Sequence, residues 1–356
     1  MAASTTNLAW TIPSDASATN HLIKRSVPLP SPGPHQALIR LTAASLNYRD
    51  ILIATRSPSY PGNHKPDLVP GADGAGIIYA VGPSSKWAGR EGTEVLLHPN
   101  SWLSGDVRGL DLSKVLGGFD GDGTLQSWIV EDDDRIIPAP SHLTSLESAS
   151  LVTAGVTAWS AIREGLDGRF DGGLEEWKGG RRLEGKTVLT MGTGGIAAAL
   201  GATVIATSSS DEKLEHARAL GAKHLVNYVS TPNWDDEVLR LTDGKGVDQV
   251  IEVGGARTLM RSINSTRPGG LISLIGILSA AEDIPKEFVP SVLFTGKIVK
   301  GCVAFSRDAT AEFAKFVEEH RIKPVIAKEF DFDGAVDAFN ALERQDAVGK
   351  IVVRIS

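Results

Sequence analysis

The amino-acid sequence predicts an α/β protein, in which a doubly wound parallel sheet with helices on both faces is joined to a smaller, mostly-β domain. One length and two patterns carry that expectation. At 356 residues the chain has room for two domains of about 150 residues each. Its first third is a series of short extended segments broken by glycine and proline, the pattern of a small barrel or sandwich. From about Ser145 helical stretches alternate with apolar runs, as in a parallel sheet whose strands are buried on both faces.

Residues 1–150 are therefore read as the β-rich domain, with strands over residues 37–41, 76–81, 94–97 and 125–130. Residues 151–303 are read as the parallel-sheet domain, with strands over 187–190, 202–206, 224–226, 247–252 and 270–275. A further strand is expected around Cys302, burying its thiol in the core. Residues 304–356 return to helix plus strand, end in the apolar run 350–355, and are expected to rejoin the first domain. The Gly/Arg/Glu-rich stretch 166–185 reads as a solvated surface insertion.

Composition removes several classes of function. The formal net charge is −7, from 36 basic and 43 acidic residues, with no basic run, so nucleic acid is not an expected partner. No apolar run approaches the roughly 18 residues of a membrane span. Residues 1–20 lack the basic and apolar regions of a secretory signal, and no arginine precedes Arg25, so the expected location is cytoplasmic. One cysteine cannot build a disulfide framework or a thiolate zinc cluster. Glycine supplies 38 residues, about 11% against a background near 7%, so tight turns and close backbone approaches are expected.

The strand ending at Thr190 runs into Met191-Gly192-Thr193-Gly194-Gly195-Ile196-Ala197. This fits the Gly-x-Gly-x-x-Gly/Ala fingerprint, whose glycines bring backbone N–H groups against a pyrophosphate at a helix start. The next strand ends in Thr207-Ser208-Ser209-Ser210, without the carboxylate that would bind a ribose 2′-hydroxyl. Hydroxyls from Ser208 and Ser209, with Lys213 in the following helical turn, suit a 2′-phosphate, so the expected cofactor is NADP(H). Ser209 with Glu212 reads as a capping box for that helix.

These residues resemble the medium-chain dehydrogenase/reductase superfamily, in its zinc-free, quinone-oxidoreductase-like branch. The resemblance covers essentially the whole chain. It rests on Asn47-Tyr48-Arg49-Asp50, Val69 to Gly76, Ala154 to Trp159, the glycine loop, Ala219 to Ala222, Val226-Asn227-Tyr228, Arg267 to Gly270 and Gly349 to Val353. It implies a Rossmann domain plus a GroES-like catalytic domain, and a homodimer formed by extending the Rossmann sheet. Zinc-dependent relatives place a Cys, a His and a third ligand where this chain has Asn47, Ala72 and Thr153, and none of these is a plausible zinc ligand. No metal is expected. The resemblance places Asn47 and Thr157 near the nicotinamide, with Gly276 and Ile277 running along it. Gly194, Gly195, Ser208, Lys213 and Tyr228 would line phosphates and adenosine, and Lys350 would reach the cofactor from the tail.

One departure stands out. Relatives carry a helix of about three turns after the glycine loop, whereas only residues 196–200 lie between Gly195 and Gly201 here. Roughly seven residues are missing, about two helical turns. Without zinc there is no Lewis acid to polarise an alcohol. Hydride delivery from NADPH to a quinone or an α,β-unsaturated carbonyl needs less help, with Tyr48, beside Asn47, as the expected donor to the developing oxyanion. The alternatives are a zinc-free alcohol dehydrogenase, and an NADP(H)-binding protein impaired by the shortened helix.

Overall fold

The computed structural model describes residues 6–60, 62–166, 183–191, 195–279, 283–344 and 348–356. The chain divides into two compact units, Met1–Val156 with Ser306–Ser356, and Thr157–Phe305.

The first unit opens with strands β1 (Thr6–Thr11) and β2 (Ile23–Pro28), an antiparallel pair. Strand β3 (Gln36–Leu46) leads into helix α1 (Tyr48–Ala54). Strands β4 (Asp73–Val81), β5 (Glu94–Leu97), β6 (Trp128–Asp132) and β7 (Ile136–Pro138) follow, then helix α2 (Ser145–Leu151). Thr144 starts α2 in a capping box: Glu147 N–H donates to its hydroxyl at 3.2 Å and the Glu147 carboxylate accepts from its N–H at 2.8 Å. Beyond α2 the helix widens into a π-helical turn over Val152–Val156 before continuing. Strand β6 starts three residues later than the pattern suggested. Leu125 instead pairs through its backbone with Trp10 and Pro70, and is fully buried.

The second unit is an alternation of strand and helix. It runs α3 (Thr157–Leu166), β8 (Thr187–Met191), α4 (Gly195–Ala199), β9 (Thr203–Ser208), α5 (Asp211–Ala219) and β10 (His224–Asn227). It continues α6 (Trp234–Leu241), β11 (Val247–Glu252), α7 (Ala256–Ser265), β12 (Thr266–Leu274), α8 (Phe288–Leu293) and β13 (Ile298–Gly301). The sheet order is β10-β9-β8-β11-β12-β13 with every pair parallel. Leu189, Ile205, Val250 and Ile272 form its buried centre, as strands covered on both faces require. The short helix α4 does not prevent closure. β8 and β9 pair in register from Thr187↔Thr203 to Met191↔Thr207, and Gly201 ends the helix in the left-handed region.

The tail adds α9 (Arg307–His320), β14 (Ile326–Asp331), α10 (Ala335–Arg344) and β15 (Lys350–Arg354) to the first unit. Its large sheet has the order β14-β15-β3-β4-β5-β7, with β6 also on β3. The first unit extends to Val156 rather than ending at residue 150, because α2 packs on β3, β4 and β15. The later boundary falls after Phe305 rather than after residue 303.

Three local expectations are corrected. Ser210, not Ser209, caps α5, its hydroxyl accepting from the Lys213 N–H at 3.5 Å. Cys302 lies just past β13 and is half-buried rather than in the core, its N–H donating to the Leu274 carbonyl at 2.8 Å. Of the stretch 166–185, residues 167–182 lie outside the described residues, and Leu183 is buried, its N–H bonded to the Leu200 carbonyl, rather than solvated. Among the described residues no helix is long and apolar enough to cross a membrane.

Candidate active site

In the first unit, the junction between β3 and α1 holds a buried ionic cluster. Asn47 is the last residue before α1, and its N–H donates to the Asp50 carboxylate at 2.8 Å, which fixes the first helical turn. The Asn47 Nδ2 donates to Asp73 Oδ2 at 2.9 Å, while its Oδ1 accepts from Lys350 Nζ. Lys350, the first residue of β15, also donates to the Leu46 carbonyl at 2.7 Å and lies 3.8 Å from Asp73 Oδ2. The π-helical turn delivers two donors from Thr153 to Asp73 Oδ1, the N–H at 3.0 Å and the hydroxyl at 2.5 Å. Such turns recur at functional sites because they re-aim one residue out of the regular helical ladder. Gly155 is required in it, since a Cβ there would stand 2.6 Å from the Phe313 ring.

Asp50 and Asp73 have no exposed side-chain surface, and the Lys350 side chain is 16% exposed. Burial raises the Asp50 carboxyl to about 6, opposed by the Arg49 guanidinium and the Asn47 N–H, with the Asp73 charge adding to the rise. Burial pulls the Lys350 ammonium down, opposed by Asp73 and Asp50. A carboxyl raised on folding contributes stability below its unfolded value that is lost as pH rises through its folded value. Asp50→Asn, whose amide oxygen still accepts from Asn47, is therefore expected to flatten the stability profile. Between about pH 5 and about pH 8 the wild type should lose roughly 1 kcal/mol that the variant keeps. Urea melts at the two pH values check this, and equal slopes for both proteins would remove Asp50 as the titrating group.

Tyr48 is half-buried, and its hydroxyl makes no hydrogen bond among the described residues. Arg49 and Asp50 hold the loop: the Arg49 Nη1 donates to the Leu116 carbonyl at 2.9 Å. Lys350 spends two of its three N–H groups on the Leu46 carbonyl and Asn47 Oδ1.

In the second unit, chain order runs outward in opposite directions from β8 and β11. The carboxyl ends of these strands, Met191 and Glu252, flank the point where a parallel sheet reverses its winding and where such folds bind ligands. Gly192, Thr193 and Gly194 lie outside the described residues, and Gly195 opens α4. Thr157 is the half-buried first residue of α3. Ser208 ends β9, half-buried, with Ser209 exposed beside it and Lys213 in the first turn of α5. The Tyr228 N–H donates to the Ser208 carbonyl at 3.0 Å, and the Tyr228 side chain is exposed. Sheet topology thus gathers Met191, Ser208, Tyr228, Gly276 and Ile277 at one carboxyl edge.

Glu252 organises that edge and is fully buried. Its Oε1 accepts from the N–H groups of Gly254 and Gly255 at 2.7 and 3.0 Å and from the Thr258 hydroxyl at 2.7 Å, and its Oε2 accepts from the Ser262 hydroxyl. Its backbone carbonyl accepts from Ile275 and Gly276 at 2.8 and 3.3 Å. Gly276 passes so close to Val253 that a Cβ would stand 2.6 Å from the Val253 carbonyl oxygen. Ile277 is left exposed. Asp73, Thr153 as a donor, and Glu252 were not singled out by sequence. The available signal was a lone acid closing an apolar strand before Gly254-Gly255, and another opening one at Asp73.

Residues 33–141 match the family model of the alcohol dehydrogenase GroES-like domain, and residues 190–319 that of the zinc-binding dehydrogenase. A zinc-type alcohol dehydrogenase-like protein of Schizosaccharomyces pombe is 35% identical over 331 residues, covering 90% of this chain and 91% of its own. The 2-methylene-furan-3-one reductase of Solanum lycopersicum is 27% identical, covering 99% of this chain and 82% of its own. Among solved structures, an NAD-dependent alcohol dehydrogenase superposes with a TM-score of 0.83 at 29% identity, covering 98% of this chain and 100% of that one.

Proposed function

The chain belongs to the medium-chain dehydrogenase/reductase superfamily of oxidoreductases, and from that premise we propose that it is a zinc-independent, NADP(H)-dependent reductase of quinones or α,β-unsaturated carbonyls. The observation that carries the reading is the cluster at Asn47, Asp73, Thr153 and Lys350. Two of the three positions that hold zinc ligands in zinc-dependent relatives, Asn47 and Thr153, are spent on Asp73, and Asn47 also on Lys350. The third, Ala72, offers no ligand atom. An ammonium 3.8 Å from Asp73 already supplies the positive charge, and a dication beside it would be repelled. These residues do not fit zinc.

With no Lewis acid, a simple alcohol is a poor substrate, whereas a conjugated acceptor needs only a donor for its developing oxyanion. Asn47 has two amide N–H groups, and one is spent on Asp73. Lys350 locks the amide so that its remaining N–H is held in one direction. The free Tyr48 hydroxyl, one residue on, is the proton donor in this reading.

The carboxyl edge of the parallel sheet fits a nicotinamide dinucleotide. Its strands end in open loops there, with Gly276 held close against the Val253 backbone, and no carboxylate stands at the end of β9. When bound, the nicotinamide supplies the hydride. Thr157, Gly192, Thr193, Gly194 and Gly195 would hold its phosphates and nicotinamide, with Tyr228, Gly276 and Ile277 against its rings. Ser208, Ser209 and Lys213 would hold a 2′-phosphate. The tomato relative named for an enone reductase favours this acceptor class.

The test follows nicotinamide absorbance with NADPH or NADH against naphthoquinone, an aliphatic enone and a primary alcohol. NADPH oxidation by the quinone or enone is expected, with the preference for NADPH over NADH falling on the order of tenfold or more in Ser208→Asp. Turnover confined to the alcohol would sink the reading, and an unchanged preference in the variant would sink the 2′-phosphate site.

A homodimer completes the proposal. Among the described residues β13 is an edge strand with an unpaired outer side, flanked by exposed Val289, Leu293, Phe294 and Val303. A twofold copy would extend the sheet and cover this patch. A solution mass of a single 37.7 kDa chain would contradict it.

A further inference from the structure

The loop that leaves α1 carries a second arrangement. Tyr60, His64 and Phe119 are all half-buried and stack on one another, with ring centroids 5.8 Å apart for Tyr60–His64, 5.9 Å for Tyr60–Phe119 and 5.2 Å for His64–Phe119. The stack adjoins the first turn of α1. The Arg49 guanidinium, one residue after Tyr48, lies 5.5 Å from the Tyr60 ring centroid, and its Nε and Nη2 are buried without a hydrogen-bond partner among the described residues.

The backbone here is held in a costly shape. Five described non-glycine residues have left-handed φ: Arg56, Asp67, Phe119, Asp243 and Arg321. Arg56, Asp243 and Arg321 end helices, where that conformation is an ordinary cap. Phe119, at φ 52°, does not, and for a bulky residue that conformation is strained. Two hydrogen bonds hold it there, its N–H to His64 Nδ1 at 2.8 Å and its carbonyl to the Lys65 N–H at 2.9 Å.

That first bond also fixes the imidazole. A backbone N–H only donates, so Nδ1 is the acceptor and the neutral ring carries its proton on Nε2. Burial, with Arg56 and Arg49 nearby, lowers the His64 pKa and keeps the ring neutral. The Nε2–H has no partner among the described residues, nor has the Tyr60 hydroxyl. Tyr60 packs against the first unit's hydrophobic core, so the strained stack joins that core to the surface and keeps two donors unspent there.

We propose that the Tyr60–His64–Phe119 stack is the platform that selects the acceptor, taking a flat ring-bearing quinone or aryl enone against its open side with the His64 Nε2–H toward a carbonyl oxygen. This rests on the reductase reading and narrows its substrate class.

The test compares wild type with His64→Asn, whose side-chain oxygen replaces Nδ1 as acceptor for the Phe119 N–H while the ring and Nε2–H are lost. Thermal melts verify the fold. The ratio of kcat/KM for 1,4-naphthoquinone over 3-buten-2-one is expected to fall about tenfold, the scale of one lost aromatic contact with its hydrogen bond. Tyr60→Leu should lower it in the same direction. An unchanged ratio, or equal loss for both acceptors, would overturn the proposal and leave only a structural role for the stack. Equilibrium binding of naphthoquinone, followed by tryptophan quenching, separates the two layers. If wild type binds the quinone about tenfold tighter than His64→Asn but reduces nothing, the platform stands and the reductase reading falls. If wild type does not bind it, the platform falls.

Discussion

Lys350→Met is expected to destabilise the first unit by about 3–5 kcal/mol and to lower kcat at least as strongly as it changes KM. The ammonium is the one cation within hydrogen-bonding reach of Asn47 among the described residues, and it stands 3.8 Å from Asp73. Its removal leaves Asp73 and Asp50, both fully buried, with the Arg49 guanidinium, 3.8 Å from Asp50, as the cation nearest them among the described residues. An uncompensated buried charge costs more than the ion pair contributes, which sets the size of the effect. The Leu46 carbonyl and Asn47 Oδ1 also lose their donor. The Asn47 amide is then free to rotate, so the loss should appear in kcat. A structural role alone would lower stability and leave kcat per folded molecule unchanged. Lys350→Met with Asp73→Asn restores charge balance, so the double variant should recover much of the stability without recovering kcat. Urea melts and steady-state rates check both. A single variant that melts and turns over like wild type would show that the cluster does not hold the site.

Glu252→Ala is the second large effect, of about 3–5 kcal/mol, because it strands several polar groups at once. The N–H groups of half-buried Gly254 and Gly255 and the hydroxyl of fully buried Ser262 lose their acceptor, and the Thr258 hydroxyl is left with only its longer bond to the Gly255 carbonyl at 3.2 Å. Each unsatisfied buried donor costs on the order of 1–3 kcal/mol. Glu252→Gln keeps one oxygen for the two N–H groups and Thr258, so its loss should be much smaller. The stranded turn is continuous with Ile275 and Gly276, which hang from the Glu252 carbonyl. KM for NADPH should therefore rise in Glu252→Ala more than KM for the acceptor. Equal stability in the Ala and Gln variants would contradict this account of the turn.

Strand periodicity made the parallel sheet readable, because β8, β9, β11 and β12 are apolar runs buried on both faces. The strand ends were less visible. β6 starts late because Leu125 is claimed by the backbones of Trp10 and Pro70, a long-range pairing that no local pattern encodes. The α5 cap moved from Ser209 to Ser210 for a similar reason, since three consecutive serines offer equivalent hydroxyls and only the backbone path chooses one. At the candidate site, Asn47, Tyr48 and Lys350 were legible as separate residues. Their assembly was not, because Lys350 meets Asn47 across 303 positions of chain. The π-helical turn that aims Thr153 at Asp73 leaves no periodic signature in Val152-Thr153-Ala154-Gly155-Val156. The His64–Phe119 lock likewise depends on two loops 55 residues apart.

In the proposed reaction hydride passes to a conjugated acceptor without zinc, at a site where an ammonium takes the metal's electrostatic place. NADPH oxidation by naphthoquinone, measured before and after exhaustive chelation with metal analysis of the same sample, tests it most directly. An unchanged rate and zinc far below one ion per chain are expected. Activity lost on chelation and restored by added zinc would contradict it.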